Sequence, residues 1–321
     1  MLFSLFLVLA GLVTLYCGGE ALVRGSVLIA QRFHLPKLII GLLIVGFGTS
    51  MPEMLVSVQA VLGGTPEIAL GNVVGSNIAN VLLIIGTALV LMPIREWDTH
   101  ARRGALFATA VAVLLYLFCM TGFLGRIQAL LLLLALAGYL GFNYVMISRN
   151  PQLAEAEEID HDALDAMLER HKGLAWLAAI AGILLLMAGA DMLIAGAVTI
   201  ARAFGVSDAV IGLSLVAFGT SLPELVAAIV AAVKREAEVI LGGVIGSNIF
   251  NVLAILGVAV MIKPMAVTPR ITAVDVPLVI ATSLGLWLML ILMKQMNRGL
   301  GIIMLGLYIG YIAMLVTQVG S

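Results

Sequence analysis

Apolar residues in this sequence occur in long, uninterrupted runs, which is the pattern of helices that cross a membrane. Four stretches without a charged residue, 104–125, 127–148, 239–262 and 299–321, reach or exceed the roughly 20 residues that a helix needs to span the hydrocarbon core. A soluble protein could not bury all of them in its core. The runs and the polar residues between them predict ten spanning helices: 2–31, 38–62, 68–92, 104–122, 127–147, 174–201, 209–233, 239–262, 274–293 and 299–318.

Composition agrees with a membrane protein, since 62% of the residues are hydrophobic and 11% are charged. Residues 1–19 have no Lys or Arg ahead of the apolar stretch and no small-residue cleavage site, so we expect a first spanning helix rather than a signal peptide. The net charge of −1 leaves no basic surface for nucleic acid, and no loop is long enough for a soluble catalytic domain. Cys17 and Cys119 fall in predicted spans, where we interpret them as buried apolar side chains.

The second half of the chain repeats the first. Residues 41–53, GLLIVGFGTSMPE, match residues 212–224, GLSLVAFGTSLPE, at nine of thirteen positions. Residues 71–82 match residues 242–253 at nine of twelve positions with the same offset of 171. The chain therefore reads as a tandem duplication. We divide it into a first repeat at 1–148, an acidic linker at 149–172 and a second repeat at 173–321.

The loops predict how the chain lies in the membrane. Five spans in each copy force the second copy to enter the membrane upside down relative to the first, which is the plan of many secondary transporters. One set of alternate loops, which includes the linker, collects twelve Lys and Arg residues, and the other set collects four. The positive-inside rule therefore predicts a cytoplasmic linker and both termini outside. The linker lacks the ligand spacing of an EF-hand, so we interpret it as a solvated tether.

Each copy interrupts its second span with a carboxylate. Glu53 and Glu224 lie at equivalent places inside that span, where a charge costs about 3 kcal/mol or more. Helical spacing puts the preceding Thr and Ser side chains on the same face as the glutamate. The preceding proline lacks an N–H, so it kinks or breaks the helix and frees backbone oxygens. These neighbours are Thr49, Ser50 and Pro52 in the first copy and Thr220, Ser221 and Pro223 in the second.

The third span of each copy adds a serine and an asparagine four residues apart, which places both on one helix face. Asn77 and Asn248 lie on another face, and we expect them to hydrogen-bond the broken backbone. All the polar groups of these spans are oxygen ligands, which suits Ca²⁺ or Na⁺ and not zinc or copper, and the four histidines fall in predicted loops. Two carboxylates would also neutralise one divalent ion. The serine–asparagine pairs are Ser76 with Asn80 and Ser247 with Asn251.

The motifs GTSMPE and GSNIAN, followed by GTSLPE and GSNIFN, resemble the α-repeats of the sodium/calcium exchanger family, and the resemblance covers the whole chain. It implies an all-α integral membrane antiporter of the prokaryotic type, not an enzyme. Ten helices would form two inverted five-helix repeats with broken second and seventh helices. The second, third, seventh and eighth helices would enclose one Ca²⁺ site and several Na⁺ sites. The first and sixth helices would slide past the rest to expose these sites to each side in turn.

The resemblance also implies ligand roles by position. Glu53 and Glu224 would be the central ligands shared by Ca²⁺ and Na⁺, and Thr49 and Thr220 would join them on Ca²⁺. Serine hydroxyls and two backbone carbonyls would form the flanking Na⁺ sites, and two asparagines would border the middle position. These further ligands are Ser50, Ser76, Ser221 and Ser247, the carbonyls of Gly46 and Ala217, and Asn80 and Asn251.

Glu20 and Asp191 occupy matching places in the first and sixth helices. Glu20 comes one turn before Arg24, so an ion pair that steadies the helix is the simplest interpretation of that residue. Arg24 aligns with Ala195, however, so Asp191 has no such neighbour. A role in gating or ion entry is the alternative interpretation of both acids.

Some relatives carry Asp at the position of Asn251, and an acid there accompanies K⁺ co-transport. We therefore expect K⁺-independent transport, and at the family's usual three Na⁺ per Ca²⁺ it would be electrogenic Ca²⁺ extrusion. We expect a prokaryotic inner membrane, no cofactor, no nucleic acid and no obligatory protein partner, only the lipid bilayer and inorganic cations. Three alternatives stay open: H⁺-coupled Ca²⁺ exchange through the same site, a protease that uses Glu53 and Glu224 as an acid dyad, and a channel.

Overall fold

The computed structural model describes residues 2–33, 37–149, 173–204 and 219–319. Within these residues the chain is a bundle of long apolar helices, so the predicted all-α membrane fold is confirmed. The acidic linker lies outside them apart from its first residue. The helices are α1 Leu2–Arg32, α2 37–49, α3 Met51–Leu62, α4 Pro66–Leu91, α5 Thr99–Cys119, α6 Arg126–Arg149, α7 Leu174–Ala203, α8 Leu222–Val233, α9 Ala237–Ile262, α10 Ile271–Leu292 and α11 Arg298–Val319.

Eight of the described helices are long and apolar enough to cross a membrane, and the bent pair α2 and α3 forms a ninth span. Helix α8 is the described part of the predicted seventh span, whose residues 209–218 lie outside the description. The observed boundaries follow the predicted ones closely. The largest difference is at α5, which begins at Thr99 rather than at residue 104 because the Asp98 side chain caps it by accepting the Ala101 N–H at 2.8 Å.

Helix boundaries recur at the offset of 171 that the sequence shows. Helix α3 and helix α8 are each 12 residues long and begin at equivalent positions. A π-helical segment interrupts α4 at Asn80–Ile85 and α9 at the equivalent Asn251–Leu256. Two more lie at Gly41–Val45 in α2 and at Ile271–Asp275 in α10. The sequence analysis did not predict these wider turns, which are rare and often occur at functional sites.

Helices α1 and α7 are counterparts in the two copies, and they pack against each other through glycines. A Cβ added to Gly11 would lie 2.7 Å from the backbone nitrogen of Leu193, and one added to Gly18 would lie 2.7 Å from that of Leu186. The two backbones therefore approach too closely for any larger residue. Gly18 follows Gly11 in α1, whereas its contact Leu186 precedes Leu193 in α7. The two helices therefore run in opposite directions, as an inverted pair requires.

Helices α4 and α9 form the centre of the bundle. In their most apolar stretches 78% and 83% of the residues are buried, against 22% in α6 and 17% in α11. The large exposed apolar side chains of α1, α6, α7 and α11 form the outer surface that lipid covers. The buried serine and asparagine side chains in the middle of α4 and α9 therefore lie inside the bundle, away from lipid.

Short backbone pairings connect loops of the two copies. Strand β1, Phe123–Leu124, pairs antiparallel with strand β2, Met265–Ala266. A single antiparallel bridge joins Ile94 to Met296 through two hydrogen bonds of 2.8 and 3.0 Å. These pairings are not predictable from the sequence, because two residues are too few to show a strand pattern. The pairings hold the loops of α4–α6 and α9–α11 together around the central helices.

Candidate ion-binding site

The second span is broken at Ser50. Helix α2 ends at Thr49 and helix α3 begins at Met51, with a bend of 45° between them. Pro52 is in the first turn of α3, where its missing N–H leaves no bond unmade. The Ser50 N–H donates to the Gly46 carbonyl at 3.3 Å, one helical turn back in α2. The predicted break in this span is therefore present.

The described part of the seventh span repeats this geometry. Ser221 precedes α8 with φ −88° and ψ 5°, against φ −80° and ψ 5° at Ser50. Pro223 takes the place in α8 that Pro52 takes in α3. The residues before Gly219 in this span, including Ala217, lie outside the described residues.

The two glutamates lie at the centre of the bundle, in the first turns of α3 and α8. Glu53 is 0% exposed and Glu224 is 7% exposed. Each accepts a hydrogen bond from the serine of the opposite copy: Ser50 donates to Glu224 Oε1 at 3.2 Å, and Ser221 donates to Glu53 Oε1 at 3.4 Å. The two carboxylates are close enough to repel each other when both are charged. Their helix N-termini offset part of this cost.

Further hydroxyl groups surround the pair. Ser76 and Thr220 lie beside the Glu53 carboxylate, and Thr49 lies beside that of Glu224. The Thr49 hydroxyl donates to the Val45 carbonyl at 2.8 Å, so its lone pairs are left to accept or to bind an ion. The Ser247 hydroxyl of α9 donates to the Gly46 carbonyl at 3.1 Å, which joins α9 to the broken helix.

Four asparagines link α4 to α9 at the start of the π-helical segments. Asn77 Nδ2 donates to the backbone carbonyl of Asn248 at 3.1 Å, and Asn251 Nδ2 donates to Asn77 Oδ1 at 2.9 Å. Asn80 Nδ2 donates to Asn248 Oδ1 at 3.0 Å. The expectation that Asn77 bonds the broken backbone is wrong, because its carbonyl partner belongs to α9, the neighbour that the antiparallel arrangement places beside α4.

Several buried oxygens in this cluster have no hydrogen-bond partner within the described residues. A polar atom buried without a partner is costly, so such atoms concentrated in one place indicate a ligand. The donor set consists of carboxylate, hydroxyl and amide oxygens, and the described residues contain no group of three or more His, Cys, Asp or Glu that could hold a metal. This chemistry fits hard cations such as Na⁺ and Ca²⁺. The unpartnered atoms are Glu53 Oε2, Glu224 Oε2, Thr220 Oγ1, Asn80 Oδ1 and Asn251 Oδ1.

Asn72 holds the backbone at Glu53, and its role was not predicted from the sequence. Its amide donates to the backbone carbonyl of Glu53 at 3.2 Å and to the Ser57 hydroxyl at 3.0 Å. The offset of 171 places Gly243 at the equivalent position, so this support exists in the first copy alone. Asn72 could have been noticed because it is an amide inside a membrane-spanning segment, within residues 71–82, which match the second copy best.

A narrow cleft of about 20 Å³, room for about one water molecule, reaches the site between α2, α8 and α9. Thr49 and Glu224 line its inner end, and Val239 and Ile240 line it near the start of α9. Gly243 also lines the cleft, and because glycine has no side chain, part of the cleft stays open there. The cleft therefore lies between a glutamate of the site and the first turns of α9, which follow the α8–α9 loop.

Glu20 and Asp191 are not part of the hydrogen-bonded cluster. Glu20 pairs with Arg24 on its own helix and with Lys234 after α8, at 2.8 Å for the second pair. The predicted partnership with Arg24 is therefore present. Asp191 is exposed on α7 and has no ion pair within the part of the chain that the structure describes.

The comparison with known proteins decides the family. A family model described as sodium/calcium exchanger protein matches residues 3–145 and 174–317. The chain belongs to the sodium/calcium exchanger family. This exchanger is a multi-pass membrane protein that transports cations by antiport, and it is not an enzyme.

Individual exchangers are similar over almost the full length. The chain is 37% identical to the putative antiporter CaxA of Alkalimonas amylolytica, over 97% of this chain and 98% of the relative. It is 29% identical to the sodium/calcium exchanger MaX1 of Methanosarcina acetivorans, over 97% and 98% of the two chains. Among solved structures it is similar to the sodium/calcium exchanger from Methanococcus jannaschii, with a TM-score of 0.82 and 31% identity over 97% of this chain and 98% of that chain.

Proposed function

We propose that this exchanger moves Ca²⁺ out of the cell in return for Na⁺, by alternating access to one central site. The observation that carries the proposal is the reciprocal pair of buried glutamates, each held by a serine of the other copy and each with one unpartnered oxygen. A proteolytic acid dyad would not need the surrounding threonine and asparagine oxygens. The similarity to exchangers named for sodium and calcium supports the choice of ions.

We assign the ligands by chemistry and position. Glu53, Glu224, Thr49 and Thr220 bind Ca²⁺, because two carboxylates neutralise a divalent ion and the hydroxyls add neutral oxygens. The same glutamates serve Na⁺ in the opposite step. The flanking Na⁺ ligands are Ser50, Ser76, Ser221 and Ser247 with the carbonyls of Gly46 and Ala217, and Asn80 and Asn251 border the middle position.

Charge and side-chain chemistry support electrogenic, K⁺-independent exchange. Asn251 is neutral, so the site carries two negative charges and lacks the third carboxylate that we associate with K⁺. Three Na⁺ entering for one Ca²⁺ leaving move one net positive charge inwards. An inside-negative membrane potential therefore favours Ca²⁺ extrusion at this stoichiometry.

The distribution of basic residues supports an orientation with the linker in the cytoplasm and both termini outside, in a prokaryotic inner membrane. The α8–α9 loop, with Lys234 and Arg235, then faces the cytoplasm. The cleft that passes Glu224 towards Val239 leads to that side. We assign it to ion passage between the site and the cytoplasm.

Glu20 acts as a gating residue in this proposal. Its bond to Lys234 ties α1 to the end of α8 on the cytoplasmic side. In an inverted repeat the two copies exchange their arrangements when access alternates, so the corresponding contact on the outer side joins Asp191 to the residue equivalent to Lys234. That residue is Gly63, which has no charge to offer. The ion pair therefore favours the state in which Glu20 lies beside Lys234, and no matching pair favours the other state.

The test is ⁴⁵Ca²⁺ uptake into proteoliposomes that contain the purified exchanger. An outward Na⁺ gradient is compared with an outward proton gradient at the same clamped membrane potential, with and without K⁺. We expect Na⁺-driven uptake that does not require K⁺. Because one net positive charge leaves the vesicle for each Ca²⁺ that enters at this stoichiometry, uptake should increase when the vesicle interior is made positive. Uptake that follows pH and ignores Na⁺ would establish proton coupling, and uptake that persists without any counter-ion gradient would establish a channel.

A further inference from the structure

Asn77 and Asn248 have no assigned ligand role, yet they bond to the two asparagines that do. We propose that Asn77 and Asn248 are positioning residues, which hold the amides of Asn251 and Asn80 with their oxygens towards the ion. The proposal rests on the proposed function, because it describes how two neutral ligands of that site are oriented.

The orientation of an asparagine amide decides whether it attracts or repels a cation. Its carbonyl oxygen accepts or coordinates, whereas its NH₂ group only donates. The two ends have nearly the same size, so packing does not distinguish them. Inside a buried site, the hydrogen bond made by the NH₂ group determines which end faces the ion.

A backbone carbonyl fixes the first orientation. The carbonyl of Asn248 can only accept, so the Asn77 amide must direct Nδ2 towards it, which it does at 3.1 Å. Asn77 Oδ1 is then left to accept, and Asn251 Nδ2 donates to it at 2.9 Å. The remaining atom, Asn251 Oδ1, is buried without a partner. One backbone group thus determines, through Asn77, that Asn251 presents oxygen.

The second orientation is held by an asparagine side chain of the second copy. Asn80 Nδ2 donates to Asn248 Oδ1 at 3.0 Å, and Asn80 Oδ1 is buried without a partner. The four side chains are between 1% and 4% exposed, so water does not compete for these bonds. Each ligand asparagine is therefore oriented by an asparagine of the opposite copy.

This arrangement gives the site two additional oxygens without additional charge. Both NH₂ groups are occupied by protein acceptors, so neither one faces the ion. The site keeps the charge of its two glutamates, which matches one Ca²⁺. Specificity for the ion then depends on Asn77 and Asn248 although neither of them presents an unpartnered oxygen to it.

A double-mutant cycle separates positioning from packing. The measurement is equilibrium ⁴⁵Ca²⁺ binding to the purified exchanger and its displacement by Na⁺. Asn77→Leu removes the acceptor of the Asn251 amide, and we expect about tenfold weaker Ca²⁺ binding, the effect of one lost hydrogen-bond interaction. In the Asn251→Asp variant both ends of the side chain are oxygens, so its orientation no longer matters. In that background we expect Asn77→Leu to change the Ca²⁺ affinity less than about twofold.

A second cycle combines Asn248→Leu with Asn80→Asp, so the test can still be made if one of the two aspartate variants does not fold.

The control is Asn143→Leu. Asn143 is a buried amide that bonds the Tyr139 carbonyl within α6, and we expect no change in Ca²⁺ affinity. Equal losses in the asparagine and aspartate backgrounds would show packing and overturn the positioning role. A wild-type protein that binds neither Ca²⁺ nor Na⁺ would instead overturn the proposed function.

Discussion

Arg235 holds the left-handed backbone conformation that Gly64 holds in the other copy. The φ angle is 62° at Arg235 and 91° at Gly64, and both residues follow the helix that carries a glutamate of the site. Glycine adopts this conformation without strain, whereas a residue with a Cβ is disfavoured there by about 1–2 kcal/mol. The second copy therefore accepts strain at a residue that adds positive charge to the loop after α8.

Replacing Arg235 with glycine should relieve this strain. We expect Arg235→Gly to raise the apparent melting temperature of the purified protein by about 2 °C, in line with about 1 kcal/mol in a chain of this size. Transport at saturating ions should not change, since Arg235 is exposed and outside the site. Thermal unfolding followed by fluorescence measures the effect. Gly64→Ala should have the opposite effect, and a stabilising Gly64→Ala would contradict the strain argument.

Neutralising either central glutamate should abolish exchange. We expect Glu53→Gln and Glu224→Gln each to weaken Ca²⁺ binding by at least about thirtyfold, because each removes one of two charges that face the ion in a buried site. Binding of ⁴⁵Ca²⁺ and proteoliposome uptake report the loss. The matched control is Asp275→Asn, which neutralises another buried acid, one that lies in α10 and pairs with Arg270 rather than with the site. Normal transport by a Glu53→Gln or Glu224→Gln protein would rule out the site.

The close packing of α1 and α7 should not tolerate a methyl group. A Cβ on Gly182 would lie 2.4 Å from the backbone nitrogen of Leu22, so we expect Gly182→Ala to force the helices apart, to lower the apparent melting temperature by several degrees and to slow transport. Gly138→Ala in α6 is the matched control, because its added Cβ has no described atom within 4 Å apart from its chain neighbours and the nearby backbone of its own helix. Equal effects of the two substitutions would argue against a special role of this interface.

The Glu20–Lys234 pair should bias access to one side. Lys234→Ala removes it, and we expect a severalfold change in the ratio of half-saturating Ca²⁺ on the two membrane faces, because a partly exposed pair contributes up to about 1 kcal/mol. Gly63→Lys supplies Asp191 with the missing partner and should also favour the alternative state. Ca²⁺ uptake by right-side-out and inside-out vesicles gives the ratio. Opposite shifts in the two variants, or no shift in either, would contradict the gating role.

The sequence indicates a candidate site clearly because the duplication doubles every signal, and its ligand roles stay a prediction. One intramembrane glutamate is ambiguous, but Glu53 and Glu224 with the same hydroxyl and proline neighbours are not. Spacing along one helix suggested that Ser50 accompanies Glu53. The structure shows instead that Ser50 bonds Glu224, because the backbone turns at Ser50 and directs its side chain to the other copy. A linear pattern specifies which residues share an element, and it does not specify contacts between elements.

The missed features have local physical reasons. The π-helical segments at Asn80–Ile85 and Asn251–Leu256 differ from α-helix by one residue in the hydrogen-bond spacing, and apolar composition does not reveal that difference. Asn72 was missed because its counterpart is Gly243, so the comparison of the two copies gave no paired signal. The roles of Asn77 and Asn248 depend on which helix lies opposite, and that is a property of the assembled bundle.

The crossed bonds of Ser50 and Ser221 have a consequence for the synthesis of the chain. Glu53 enters the membrane with the first copy, before Ser221 and the amides of α9 have been made. Until the second copy is inserted, the Glu53 carboxylate lacks the hydrogen bond from Ser221, and the candidate site lacks Glu224. We therefore expect α3 to reach its final place only when the second copy has been inserted, so that the last step of assembly also completes the candidate site.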